Sequence, residues 1–382
     1  MKRLDITLLC VLMLAVFARP VFAEPIPDPL PPCDNAAVWY LTAQLVMGSY
    51  DDDAKAVVES WDELDTDAGA EVVDNRLADA MAYIRRGASL DRCSWAVDFE
   101  QDGFGALLPH LTMLREYAKI LAVSGQVRLN QSDAEGAIED FVAIIRLSRH
   151  GSSDGSLIGC LVQFSIEKIA ADTLAKQLHR FDRDQLDLLR QQLAALPPNR
   201  ATVRSAIPVE RLCGKWIKTL VTSGDFETLN NLGIQGIGKT NTPKQRDAIV
   251  EKLIKLVDEL DTYYQRLYDN LGLSYEEFVK ADAKFVEDVQ ETNNILVAML
   301  MPALRPAYDA QRNRTSTLAI LDAAIALRLD GEQAFGKVFD PADGKPFDRQ
   351  MTDEGMVISS RLKKNDEAVS LRFSSKLAEA LK

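Results

Sequence analysis

Apolar positions along most of this chain recur every three or four residues, which is the spacing of one face of a helix. The clearest case runs from Leu111 to Arg149. Leu111, Leu114, Ala118, Leu121 and Gly125 fall in phase, with Arg115, Glu116 and Lys119 off that face. Asn130-Gln131-Ser132 breaks the pattern, and Ser132 with Glu135 has the spelling of a capping box. A second run follows through Ala134, Ala137, Ile138, Phe141, Ile144 and Ile145. Arg146, Arg149 and His150 occupy its last turn, where a negative helix end favours cations, and Gly151 suits a left-handed stop. The two runs predict an antiparallel helical hairpin at the centre of the molecule.

On either side the same spacing predicts more helices. Glu24 to Pro32 holds five prolines and reads, to residue 34, as an extended lead-in. Helices are expected over Asn35–Met47, Asp51–Leu64 and Val72–Arg86, then an irregular loop from Cys93 to Gly105. Leu157–Leu178 is apolar nearly all round and should be packed on several sides. Asp182 and Gln185 cap the next helix, which ends at Pro197-Pro198. Arg200–Val221 is helical with a kink near Pro208, completing an array over 35–222. Residues 223–243 form a loop rich in Gly, Asn and Thr. Lys244–Leu271, a Ser274/Glu277-capped helix reaching Met301, and Thr315–Leu329 make a long-helix region over 244–335. Residues 336–382 change character. A turn cluster at Asp340–Pro346 precedes two strands, Met356–Ser360 and Ala368–Phe373, joined as a β-hairpin that must lean on the helices. The expected fold is all-α, an antiparallel array of helical hairpins with a small C-terminal β-hairpin.

Gly125, Ala137 and Phe141 resemble the small, small and aromatic positions of a tetratricopeptide repeat. The match covers one repeat, lacks the Trp, the Tyr and the final Pro, and has no second copy about 34 residues away. An ordinary αα-hairpin explains the same residues. Cys93-Ser-Trp95, Leu107–Leu111, Leu114–Ala118, Asp133–Ile138 and Asp340–Pro346 are similar to segments of uncharacterised secreted helical proteins of planctomycete type. The tail also looks like the C-terminal β-meander of type II secretion major pseudopilins, without the usual Tyr-Pro dipeptide before it. The likeness is diffuse and leaves out Ser223–Asn294. It implies fold and export, and no site.

Composition adds a compartment. Residues 1–23 read as a signal peptide: Lys2 and Arg3, an apolar core from Ile6 to Ala18, and small residues before Glu24. Its removal takes three positive charges and one negative, moving the formal charge from −13 to −15. An acidic surface argues against nucleic acid and anionic membranes. No later apolar run reaches spanning length. The expected location is periplasmic or extracellular. Of five cysteines, Cys33, Cys93, Cys160 and Cys213 lie beyond the leader, with no zinc spacing. Cys33 and Cys93 flank the first helices, so a bridge between them is favoured; Cys160 and Cys213 suit buried thiols.

Candidate chemistry is sparse. Gly233–Thr240 spells G-x-x-x-x-G-K-T, the phosphate loop whose amides, Lys and Thr hold phosphates and magnesium. That loop needs a strand before it and a helix starting at the Lys-Thr. Here polar, turn-like residues precede it and Pro243 delays the helix, and the spelling arises by accident in roughly one chain in a hundred of this length. Asp98, Glu100 and Asp102 resemble the start of an EF-hand loop, but the closing position holds Pro109. His110, His150 and His179 are far apart in sequence and match no metal or nucleophile-elbow motif. Glu167, in the most apolar helix, must find a cation; with Glu210 and Arg211 it would form a buried ion network if it met Arg115 or Arg146. No catalytic, cofactor-binding or metal-ligating residue is therefore assigned. The expected function is that of an exported, non-catalytic protein binding another protein through a helical groove, or supporting the envelope. The alternative is an enzyme: a hydrolase in an unrecognised cleft, or a nucleotide binder through Gly233–Thr240.

Overall fold

The computed structural model describes residues 33–48, 50–231, 242–301, 304–341, 343–364 and 367–380. The signal segment, most of the lead-in and the Gly233–Thr240 motif lie outside the described residues. From Asp34 onward the chain forms one unit. Among the described residues it is mainly helical, with a three-stranded antiparallel sheet near its C-terminus.

Ten longer helices carry the packing. They are α1 (Ala36–Met47), α2 (Ala78–Ala88), α3 (Pro109–Asn130), α4 (Ala134–Gly151), α5 (Leu157–Gln177), α6 (Arg183–Ala194), α7 (Val203–Ser223), α8 (Pro243–Asn270), α9 (Tyr275–Glu291) and α10 (Leu304–Asp330). The expected central hairpin is α3 with α4. Its close crossing follows from Gly125: a Cβ built there would stand 2.3 Å from Cε1 of the fully buried Phe141. The turn between the helices differs from its spelling. Ser132 adopts a left-handed φ of 67°, and Asp133 is the cap, its carboxylate accepting from the Gly136 amide. At the other end Gly151 stays helical and Ser152 is the C-cap, while Gly155 takes the positive φ. The Asp182/Gln185 and Ser274/Glu277 capping boxes form as spelled.

Three segments depart from their periodicity. Val72–Arg86 is not one helix: a π-helical turn over Glu71–Arg76 ends at Leu77, and α2 starts after it. The extra residue in that turn shifts the phase, so Val72, Val73 and Leu77 all face inward with Met81 and Ile84. The Ser274–Met301 helix breaks at residues 292–294, where Asn294 caps a short helix, Ile295–Leu300. The helix expected over Asp51–Leu64 spans only Asp52–Glu59, whereas α7 runs through Pro208 as one helix.

The buried apolar residues divide into two clusters. The first holds α1 to α4, most of α5, α6, the second half of α10 and the sheet. The second holds the start of α5, α7, α8, α9 and the first half of α10. α5 and α10 therefore span both cores, which is why α5 is apolar nearly all round.

The sheet has order β1 (Asp348–Thr352), β2 (Gly355–Lys364), β3 (Glu367–Ser374). β2 and β3 are the expected hairpin, with Met356 opposite Phe373 and Ile358 opposite Leu371. Those four side chains are buried against α5 and α10. β1 pairs with β2 from Asp348↔Ser359 to Thr352↔Gly355, and all five of its residues are exposed. An edge strand with no buried face leaves no alternating signal, so the sequence showed two strands where there are three.

Candidate functional site

A cleft of about 1000 Å³ lies where three interhelical connections meet. Residues 90–94 supply one wall, the turn from Ser152 to Gly155 a second, and residues 195–201 a third. The last turn of α4 reaches in with Arg146, Arg149 and His150, and Arg92 and Arg200 stand on the flanking loops. Four arginines thus face two aspartates, Asp34 and Asp91, in a chain whose net charge is −13.

The arginines are not equally compensated. Arg92 pairs with Asp34 at 2.9 Å. Arg149 lies 4.0 Å from Glu167, and its Nη1 donates to the Pro197 carbonyl. Glu167 is fully buried and already holds Arg314, whose Nε and Nη2 both donate to its carboxylate. One carboxylate is therefore shared by two guanidiniums, and burial together with Arg314 lowers the pKa of Arg149. Arg146 is half-buried and Arg200 exposed, and neither makes an ion pair or hydrogen bond with a described residue. Several other part-buried arginines are matched, Arg85 with Asp140, Arg305 with Asp282 and Arg266 with Asp288, whereas Arg312 and Arg328 also have no carboxylate among the described residues.

Beneath the cleft runs a buried polar chain. Ser152 Oγ donates to Gln163 Oε1 at 2.5 Å, and Gln163 Nε2 donates to Asn199 Oδ1 at 3.0 Å and to Glu167 Oε1 at 2.9 Å. It ties the 195–201 wall to the Glu167–Arg314 pair. Glu167 does form the expected buried ion network, but with Arg314 and Arg149 rather than Arg115 or Arg146. Glu210 stands apart from that network, accepting from the Leu157 amide at 2.9 Å, and burial raises its pKa. Arg211 instead grips Asp261.

Two of the three histidines, distant in sequence, share one aromatic cluster. Trp95 stacks on His110 with centroids 4.4 Å apart, and its indole N–H donates to the His150 carbonyl at 2.8 Å. Tyr40 hydroxyl donates to Nδ1 of His150 at 2.8 Å, since the other ring nitrogen is taken by the Leu90 carbonyl. His150 was expected as a cation at the helix end. Burial instead lowers its pKa to about 4, so it is neutral at pH 7. Nε2 of the buried His110 faces Oδ2 of Asp154 at 3.5 Å without a hydrogen bond. His179 lies elsewhere, its Nδ1 against the Lys176 carbonyl.

The remaining candidates take structural places. Asp98 caps the turn Phe99–Asp102, accepting from the Glu100 and Gln101 amides. Gly103, at φ 53°, lies against Trp216, where a Cβ would stand 2.1 Å from the indole. Among the described residues no group of three His, Cys, Asp or Glu is placed to hold a metal ion. Cys93 is a free thiol rather than half of a bridge to Cys33, and burial pushes its pKa up to about 12. Cys160 and Cys213 are buried thiols, as expected. On the flanks of the Gly233–Thr240 motif, helix Phe226–Asn231 precedes and α8 begins at Pro243 with Thr242 as its cap. Among the described residues no helix is long and apolar enough to cross a membrane.

No family model, curated protein or solved structure matches the chain. The cleft is therefore read from its own residues. Sequence reasoning missed it because its arginines lie on three separate stretches of chain. The one local signal was the pair Arg146 and Arg149 one turn apart.

Proposed function

We propose that this is an exported, non-catalytic binding protein that engages another protein through the arginine-bearing cleft. The observation that carries this reading is the cleft itself: about 1000 Å³, walled by loops from separate helical pairs, with Arg146 and Arg200 left without a partner among the described residues. Its polar groups otherwise serve the fold. His150 has both ring nitrogens engaged, and Ser153 Oγ donates to the His150 carbonyl at 2.8 Å. A base committed in this way has no lone pair to offer a nucleophile. Export rests on the leader-like first 23 residues.

Ser94 lines the cleft and is exposed, so Ser94→Trp fills it without emptying a core position. Wild type and this variant, each immobilised, are presented with exported proteins of the source cell. A partner retained by wild type and lost on Ser94→Trp supports the reading. Identical retention by both, or turnover of any substrate that Ser94→Trp abolishes, refutes it. Fractionation of a tagged chain tests export, which a cytoplasmic location would overturn.

A further inference from the structure

The charge pattern of the cleft says more about the occupant than its volume does. We propose that the cleft takes an acidic peptide segment of the partner in extended form, its carboxylates held by Arg146, Arg149 and Arg200. This rests on the binding reading above and deepens it.

Three observations converge. The first is uncompensated charge. In a protein with 57 acidic against 44 basic side chains, Arg146 is a half-buried guanidinium with no carboxylate among the described residues; Arg312 and Arg328 share that property, but only Arg146 lines the cleft. Arg149 shares Glu167 with Arg314, so this wall keeps a net positive charge. The second is the backbone. The first turns of α1, α5 and α7 all open on the cleft, through Asn35, Cys160 and Ser205. Each carries the positive end of a helix of 12 residues or more, which favours an anion. Negative helix ends are present as well: that of α4 bears Arg146 and Arg149, and that of α6 closes at Ala195. The third is spacing. Side chains one helical turn apart have Cβ atoms about 5–6 Å apart. Alternate side chains of an extended peptide are roughly 6.6 Å apart on one face. Arg146 and Arg149 can thus each meet one carboxylate of an alternating acidic strand, with Arg200 on the opposing wall for a third. A guanidinium grips a carboxylate through two parallel hydrogen bonds, so the contact is selective as well as charged.

The partner segment is therefore rich in Asp or Glu at alternate positions. A recess holding several cations on an acidic protein would steer docking to one place, since like-charged surfaces elsewhere repel.

The test uses the whole chain and fluorescent octapeptides in anisotropy titrations. One peptide alternates glutamate with glycine; its control alternates glutamine with glycine; inorganic pyrophosphate is the competing anion. The glutamate peptide is expected to bind at least tenfold tighter than the glutamine peptide, and to weaken as salt rises from 20 to 200 mM (about 22 to 7 Å of screening length). Arg146→Gln and Arg200→Gln should each weaken it about tenfold while thermal unfolding is unchanged, since neither side chain has a partner among the described residues to lose. Arg115→Gln, exposed on α3 outside the cleft, should leave it unchanged. Three results overturn the proposal. If pyrophosphate binds tighter than the peptide and depends on Arg146, the occupant is a phosphate. If the glutamine peptide binds equally and is lost on Ser94→Trp, the binding reading stands and its acidic selectivity is wrong. If no peptide binds and Ser94→Trp loses no partner, both readings fall.

Discussion

Replacing Gly125 by alanine tests the close crossing of α3 and α4 most sharply. In a helix interior glycine is about 1 kcal/mol worse than alanine, so the substitution should stabilise if nothing is in the way. Here three ring atoms of Phe141 would stand 2.3, 2.7 and 2.9 Å from the new Cβ. Carbon atoms normally rest about 3.5–4.0 Å apart, so the ring must retreat by roughly 1 Å or more. Phe141 is 0 % exposed, so its ring can retreat only into neighbouring core side chains. Overpacking of this kind costs about 1–3 kcal/mol, and so severe an overlap belongs at the upper end. Set against the helix gain, the net is a loss of about 2 kcal/mol. Gly214, in the middle of α7, supplies the control. Its added Cβ would meet Leu260 and Val257 at 3.9 and 4.0 Å, ordinary contact distance. Gly214→Ala should therefore stabilise by about 0.5–1 kcal/mol. Urea unfolding followed by circular dichroism gives both values. In a Phe141→Leu background the ring is gone, and Gly125→Ala should lose most of its penalty, a coupling of about 2 kcal/mol. The reasoning fails if Gly125→Ala stabilises like Gly214→Ala, or if the two changes at 125 and 141 simply add.

Three further expectations follow from buried groups. His150 has a folded pKa of about 4 against an ordinary 6.5, so as pH falls through that window the unfolded chain binds the proton first and stability is lost. Between pH 7.5 and 4.5 this amounts to about 2.5 kcal/mol, and above pH 7 the group contributes no slope. His150→Asn should flatten the acid limb of a urea-midpoint profile; parallel limbs would contradict the burial argument. Glu167→Gln leaves Arg314 buried without its counter-charge and should cost about 3–5 kcal/mol, whereas Glu167→Leu with Arg314→Met should cost clearly less. Equal losses in calorimetry would show the pair to be energetically ordinary. Burial raises the Cys93, Cys160 and Cys213 thiols to about 12, so a disulfide reagent at pH 8 should label them only after denaturant is added, and rapid labelling of the native chain would show the sites to be open.

Local pattern alone was enough to place the α3–α4 hairpin, the caps at Asp182 and Ser274, α8, and the β2–β3 pair. These are local properties: one face of a helix or strand must be apolar whatever it packs against, and a cap is satisfied within four residues. The π-turn at Glu71–Arg76 was not legible, because its phase shift pays off only where Val72 and Val73 meet the core. Neither was β1, which buries no face of its own. The tertiary structure alone decided that Glu167 pairs with Arg314, 147 residues away, and that Arg146, Arg200 and Arg92 share one recess. Charge carries no period, and a loop has no face; what such residues meet depends on where two cores and the helices spanning them bring the chain back upon itself.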